Sequence, residues 1–109
     1  MPKRGINLKT SLHSEQRIRE RMGISDKRKI KEVCKNAYHN GLCMKKHYIP
    51  KATLWWIDKK VKNYFGRCNN WRIYNNYLFL FSKSLTLVTV IEIPKGLRIN
   101  KDKKDLERY

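Results

Sequence analysis

The sequence predicts an α+β domain in which N-terminal helices pack on one face of a C-terminal antiparallel β-meander. Two observations carry this. Apolar residues recur at helical spacing over the first two-thirds of the chain and at extended spacing from Trp71 to Ile93. Every stretch of helical period precedes the stretches of extended period, an order that sets helices apart from a sheet. A chain of 109 residues holds one such domain.

Residues 1–10, MPKRGINLKT, are basic and contain no apolar run, so they are expected to form a flexible arm rather than a signal peptide. The domain is expected to span residues 11–94. Ser11 is a good N-cap for a first helix, and Gly23 suits its left-handed end. Ile18 and Met22, four apart, would face the core. Ser25 is the expected cap of a second helix, in which Ile30, Val33, Cys34 and Ala37 follow the i, i+3, i+4, i+7 rule of a buried stripe, with Gly41 closing it. LCMKKHYIP is a connector with no clear period and room for a short strand. A third helix follows Pro50, with Leu54, Ile57, Val61, Tyr64 and Phe65 at helical spacing and Gly66 at its end. Trp55 and Trp56 are adjacent and cannot both face inward, so one is expected to be exposed.

WRIYN and YLFLFS flank Asn75-Asn76, a pair that tolerates the positive φ angles of a tight hairpin turn. LTLVTVIEI is the third strand, reached through a turn at Lys83-Ser84 and ended by Pro94. Residues 95–109 are expected to be a charged, largely disordered tail.

The charge is the strongest functional signal. Lys and Arg number 26 against 9 Asp and Glu, a formal net charge of +17. Such a surplus repels itself in the folded state and suits a polyanionic partner, nucleic acid first among them. Three cysteines without a C-x-x-C pair argue against a disulfide framework and for a reducing, cytoplasmic setting. No apolar run reaches the ~20 residues of a membrane span.

In the first helix His13, Arg17 and Glu20 lie four and three residues apart and share a side distinct from that of Ile18 and Met22. An imidazole can exchange protons near neutral pH, and a guanidinium can grip phosphate oxygens. The plainer alternative is a solvated face on which Glu20 pairs with an arginine. HSEQRIRERMGIS, RIYNNYLFLF and LVTVIEIP resemble a family of short, uncharacterised proteins of Gram-positive bacteria and their phages. That family's pattern is H-S-x-x-R-I-x-E-R-x-G, then R-I-Y, then L-x-T-V-x-x-x-P, and the likeness covers roughly Ser11 to Pro94. The family is in turn similar to the RelE/BrnT-type ribonuclease toxin fold. The resemblance implies metal-independent RNA cleavage, with His13 as acid or base, Arg17 and Arg72 stabilising the phosphorane charge, and Thr89 donating to a phosphate oxygen. Trp55-Trp56 have no counterpart in that fold.

Arg21, Lys59, Lys60, Arg72 and Tyr74 complete the candidate nucleic-acid contacts. The plainer alternatives are a cation at a sheet rim for Arg72 and a packing residue for Thr89. Along YLFLFS both alternating faces are apolar, which burial explains better than base stacking. The acids are too scattered for a two-metal nuclease, and there is no phosphate-loop or nucleophile-elbow motif. Cys34, His39, Cys43 and His47 lack the spacing of common zinc sites, so neither a metal nor a cofactor is expected. Two function classes follow: a metal-independent ribonuclease, whose partners would be RNA and an acidic antitoxin, or a non-catalytic, anti-CRISPR-like phage inhibitor that binds nucleic acid or a host nuclease–RNA complex.

Overall fold

A computed structural model describes residues 8–64, 68 and 70–99. It contains β1 (Lys9–Thr10), α1 (Leu12–Met22), α2 (Lys27–Asn40), α3 (Lys51–Lys62), β2 (Asn70–Tyr74), β3 (Tyr77–Phe81), β4 (Thr86–Glu92) and a 3-10 turn at Lys95–Leu97. The strands form one sheet in the order β1-β4-β3-β2. The last three strands pair antiparallel as a meander, whereas β1 pairs parallel to β4, so the sheet is mixed. The α+β class and the order of helices before the main strands agree with the sequence; the sheet is mixed rather than the expected antiparallel meander, because β1 adds a parallel strand. It also corrects the expected arm, because Lys9 and Thr10 are tied to Thr86 and Leu87. Residues 1–7 lie outside the described residues.

Capping follows local chemistry. The Ser11 side chain accepts the Ser14 N–H, and Gly23 closes α1 at φ 70°. The cap of α2 is Asp26, whose carboxylate accepts the Arg28 N–H, rather than the expected Ser25. Asn75 and Asn76 both have positive φ, 52° and 67°, as the hairpin turn requires. α3 ends at Lys62; the expected stop at Gly66 is outside the described residues.

Both sheet faces are covered, which corrects the expectation of a single packed face. On one side Ile18 of α1 and Ile30, Cys34 and Ala37 of α2 meet Phe79, Phe81, Leu87 and Val90. On the other side Ile57 of α3, with Ile49, Cys68 and Ile99, meets Ile73, Leu78, Leu80, Val88 and Ile93. Alternation along β3 sends Phe79 and Phe81 one way and Leu78 and Leu80 the other. Burial of Cys34 pushes its thiol up to about 11. The start of the expected tail is also structured: Ile99 is buried, Arg98 bonds the Ile93 carbonyl and Glu92, and the Leu97 carbonyl accepts from Thr53.

Both sheet edges are shielded. Leu42, in the connector, makes a two-bond antiparallel bridge to Ile73, so the expected hidden strand amounts to a single bridge on β2. Gly41 lets that bridge form. A Cβ there would lie 2.4 Å from the Ala37 carbonyl oxygen and 3.0 Å from both Arg72 Cβ and the Ile73 oxygen. Gly41→Ala is therefore expected to destabilise the fold by about 2–3 kcal/mol, the upper range for forcing atoms into a packed site. A thermal melt would check this, and an unchanged midpoint would contradict the close approach. On the opposite edge β1 covers only the beginning of β4. Beyond it the Val88 and Val90 carbonyls accept from the Ser11 hydroxyl (3.3 Å) and the Arg21 guanidinium (2.8 Å) of the α1 segment.

Candidate functional site

Chain register brings His13 and Thr89 together although 76 residues separate them. Phe81 pairs with Leu87 and Leu80 with Thr89, which leaves Val88 as a β-bulge beside the start of α1. His13 Nε2 lies 3.2 Å from Thr89 Oγ1, and either atom can donate according to the imidazole tautomer. Thr89 is only 1% exposed. It holds the imidazole from below and is too deep to reach a phosphate itself, which corrects its expected role as a direct donor.

His13 forms one wall of an open cleft of ≈ 940 Å³, whose other lining residues are Ser11, Tyr64, Ser82, Lys83, Ser84, Thr86 and Val88. Three hydroxyls in the β3–β4 turn form a chain: Ser82 Oγ lies 3.0 Å from Ser84 Oγ, which lies 3.3 Å from Thr86 Oγ1. Ser82 Oγ also accepts the Thr86 N–H, and Leu85 turns the backbone at φ 63°. Lys83 stands exposed at the tip. The lining therefore offers a cation, an imidazole and several hydroxyls, and no carboxylate among the described residues.

The arginines expected beside His13 are engaged elsewhere. Arg17 Nη1 donates to Glu20 at 2.9 Å, and hydrogen bonds from Gln16 and Arg17 hold the Glu20 carboxyl below its ordinary range. This is the plainer alternative read from the helix spacing. Arg21 binds the Val90 carbonyl, and its own carbonyl accepts the Tyr77 hydroxyl at 2.6 Å, so it fastens α1 to the sheet. Arg72 lies on β2, at the other end of the strand order from β4. Its guanidinium donates to the Tyr38 and Trp71 carbonyls and Asn70 Oδ1, all within 2.9 Å, and stacks 4.5 Å from the Tyr38 ring centre. It clamps α2 to the sheet rim, and Tyr74, half-buried, makes a T-shaped contact with Phe79. The set His13, Arg17, Arg72 and Thr89 is thus only half assembled.

Two basic surfaces stand apart from the cleft. On α2, Lys27, Arg28, Lys29, Lys31 and Lys35 are exposed. The ion pairs among the described residues are Arg17–Glu20, Arg19–Glu15, Lys62–Asp58 and Arg98–Glu92, so none of these α2 cations is held in an ion pair. Arg28, Lys31 and Lys35, at i, i+3 and i+7, line a groove of ≈ 540 Å³ against Leu8 and Thr10, with Glu32 as the one carboxylate among its described lining residues. On α3, Trp55 is 64% exposed with Lys59 Nζ 4.1 Å from its ring centre, and Lys60 Nζ lies 5.7 Å from that of Trp56. Trp56 instead packs on the core.

Sequence reasoning missed the turn hydroxyls and the α2 stripe. Both had a signal, in the alternating hydroxyls of SKSLT and the spaced cations of KRKIKEVCK. Among the described residues no group of three or more His, Cys, Asp or Glu side chains is gathered as metal ligands, and no helix is long and apolar enough to cross a membrane. Comparison with protein-family models, curated proteins and solved structures finds no match to this chain.

Proposed function

We propose that this protein binds RNA without cleaving it, gripping phosphates with the cations of α2 and α3 and stacking an unpaired base on Trp55. The observation that carries this is the row of α2 cations with no carboxylate partner within a chain of net charge +17. Unneutralised cations along one helix attract a phosphate backbone and release its counterions. An indole with an ammonium over one face presents its remaining surface to a base, a sequence-tolerant contact. A guide-RNA channel of a nuclease complex would present the same phosphates to these cations.

One observation favours a second reading, metal-independent RNA cleavage of the RelE/BrnT kind: His13 is held by a buried threonine at the wall of an open cleft. Against it, the hydrogen bonds of Arg17 and Arg72 commit both guanidinium groups elsewhere, and a 2′-OH attack needs a second proton carrier besides His13.

Incubation of the purified protein with a mixed RNA pool in EDTA separates the two. The expected result is RNA retarded on a native gel and intact on a denaturing one. Cleavage products that fall about 10²–10⁴-fold in His13→Ala, the usual effect of losing a positioned acid or base, would establish the second reading. Absence of any retardation would refute the first.

A further inference from the structure

We infer that the cleft between the start of α1 and the β3–β4 turn is a nucleotide subsite, with the phosphate held by Lys83, the turn hydroxyls and His13, and the base resting against Tyr64 and Val88. The choice of a phosphate-bearing ligand rests on the proposed binding of RNA; the location of the subsite does not. Four features carry it.

First, the cleft's ≈ 940 Å³ falls within the range of small-ligand sites, and its lining combines polar groups with Tyr64 and Val88. Second, the polar groups suit an anion. Lys83 supplies charge, and Ser82, Ser84 and Thr86 supply rotatable donors whose mutual bonds of 3.0 and 3.3 Å can be exchanged for a phosphate oxygen. No carboxylate lines the cleft among the described residues, so none of these side chains opposes a negative ligand. Third, the bond to Thr89 occupies His13 Nε2 and leaves Nδ1 for a ligand. Fourth, the turn that carries the hydroxyls keeps Leu85, a non-glycine residue, at φ 63°. Strain of that kind persists where surrounding contacts over-determine a conformation. None of these groups takes part in the two basic surfaces on α2 and α3, so the cleft adds a separate contact along a bound strand.

The test uses the full chain, isotope-labelled, titrated separately with uridine 5′-monophosphate, inorganic phosphate, uridine and octauridylate. Uridine 5′-monophosphate is expected to shift the amide signals of Lys83, Ser84 and Thr86 and the ring signals of His13, more strongly than phosphate or uridine at equal concentration. Lys83→Ala, at an exposed turn tip, is expected to weaken that binding by about tenfold or more, the scale of one charged hydrogen bond, with an unchanged melting temperature. If neither the nucleotide nor octauridylate moves these signals, or Lys83→Ala binds as the wild type does, the subsite is overturned. Octauridylate that binds while leaving the cleft signals still would support RNA binding and overturn the subsite. Nucleotide binding at the cleft with no octauridylate binding would uphold the subsite and overturn the RNA proposal.

Discussion

Raising salt from about 50 to about 200 mM is expected to weaken binding of a single-stranded oligoribonucleotide by roughly 10²–10³-fold. For a single strand the slope of log affinity against log salt is about −0.7 per neutralised phosphate, so about six phosphates give a slope near −4. The cations that would supply these contacts are on α2 and α3, exposed except for the half-buried Lys60, and for the most part outside any ion pair. Replacing Arg28, Lys31 and Lys35 together by alanine should reduce the slope by about 2, because three phosphate contacts are lost. The same triple variant should keep its fold, since all three side chains are exposed. Trp55→Ala should act differently, lowering affinity several-fold at every salt concentration with little change in slope, because stacking releases no counterions. A binding curve that is flat in salt would contradict phosphate-dominated recognition.

Phe79→Ala is expected to destabilise the protein by about 3–5 kcal/mol, the usual cost of emptying a buried phenylalanine site. Phe79 lies at the centre of the sheet, paired with Arg72 on β2 and Val90 on β4, and is fully buried. Its ring meets Tyr74 edge-on at 6.2 Å, and its layer also holds Ile18, Ile30 and Cys34. The loss is a large share of the roughly 5–15 kcal/mol available to an ordinary domain. Urea titration should show a lower midpoint with an unchanged slope. Trp55→Ala is the matched control. It removes a larger ring, but one that is 64% exposed, so the midpoint should move little. Equal losses for the two variants would mean that burial does not rank the aromatic residues as the packing requires.

The elements that were legible in the sequence are those set by neighbours along the chain. Ser11 caps α1 and Gly23 ends it because both act on their own helix turn. Asn75-Asn76 form the hairpin turn because their positive φ angles are a local property. The stripe of Ile30, Cys34 and Ala37 is buried as its period requires. The Arg17–Glu20 pair follows from three-residue spacing alone. The exposure of one tryptophan follows from the adjacency of Trp55 and Trp56, and the surplus of positive charge from composition.

Tertiary structure decided what depends on partners distant in the chain. Lys9 and Thr10 are too few to show a period, and become a strand only because β4 offers an edge. The bulge at Val88 breaks the alternation that LVTVI would otherwise have as a regular strand: Leu87 packs with the α1 and α2 layer, whereas Ile91 packs with the α3 layer. A one-residue insertion switches every later side chain to the other face, and no local pattern announces it. Arg72 illustrates the same limit at the level of function. Its type and motif suit a phosphate, but strand order places it at the far rim, where the Tyr38 carbonyl and ring claim it. His13 and Thr89 meet because α1 lies along the uncovered part of the β4 edge, where the Ser11 and Arg21 side chains fasten it to open carbonyls. Sequence thus determined the helices, the hairpin and the charge, each the sum of short-range or compositional terms. The folded chain alone decided which of the charged and hydroxylated residues face a common cleft, because that depends on strand order and register across the sheet.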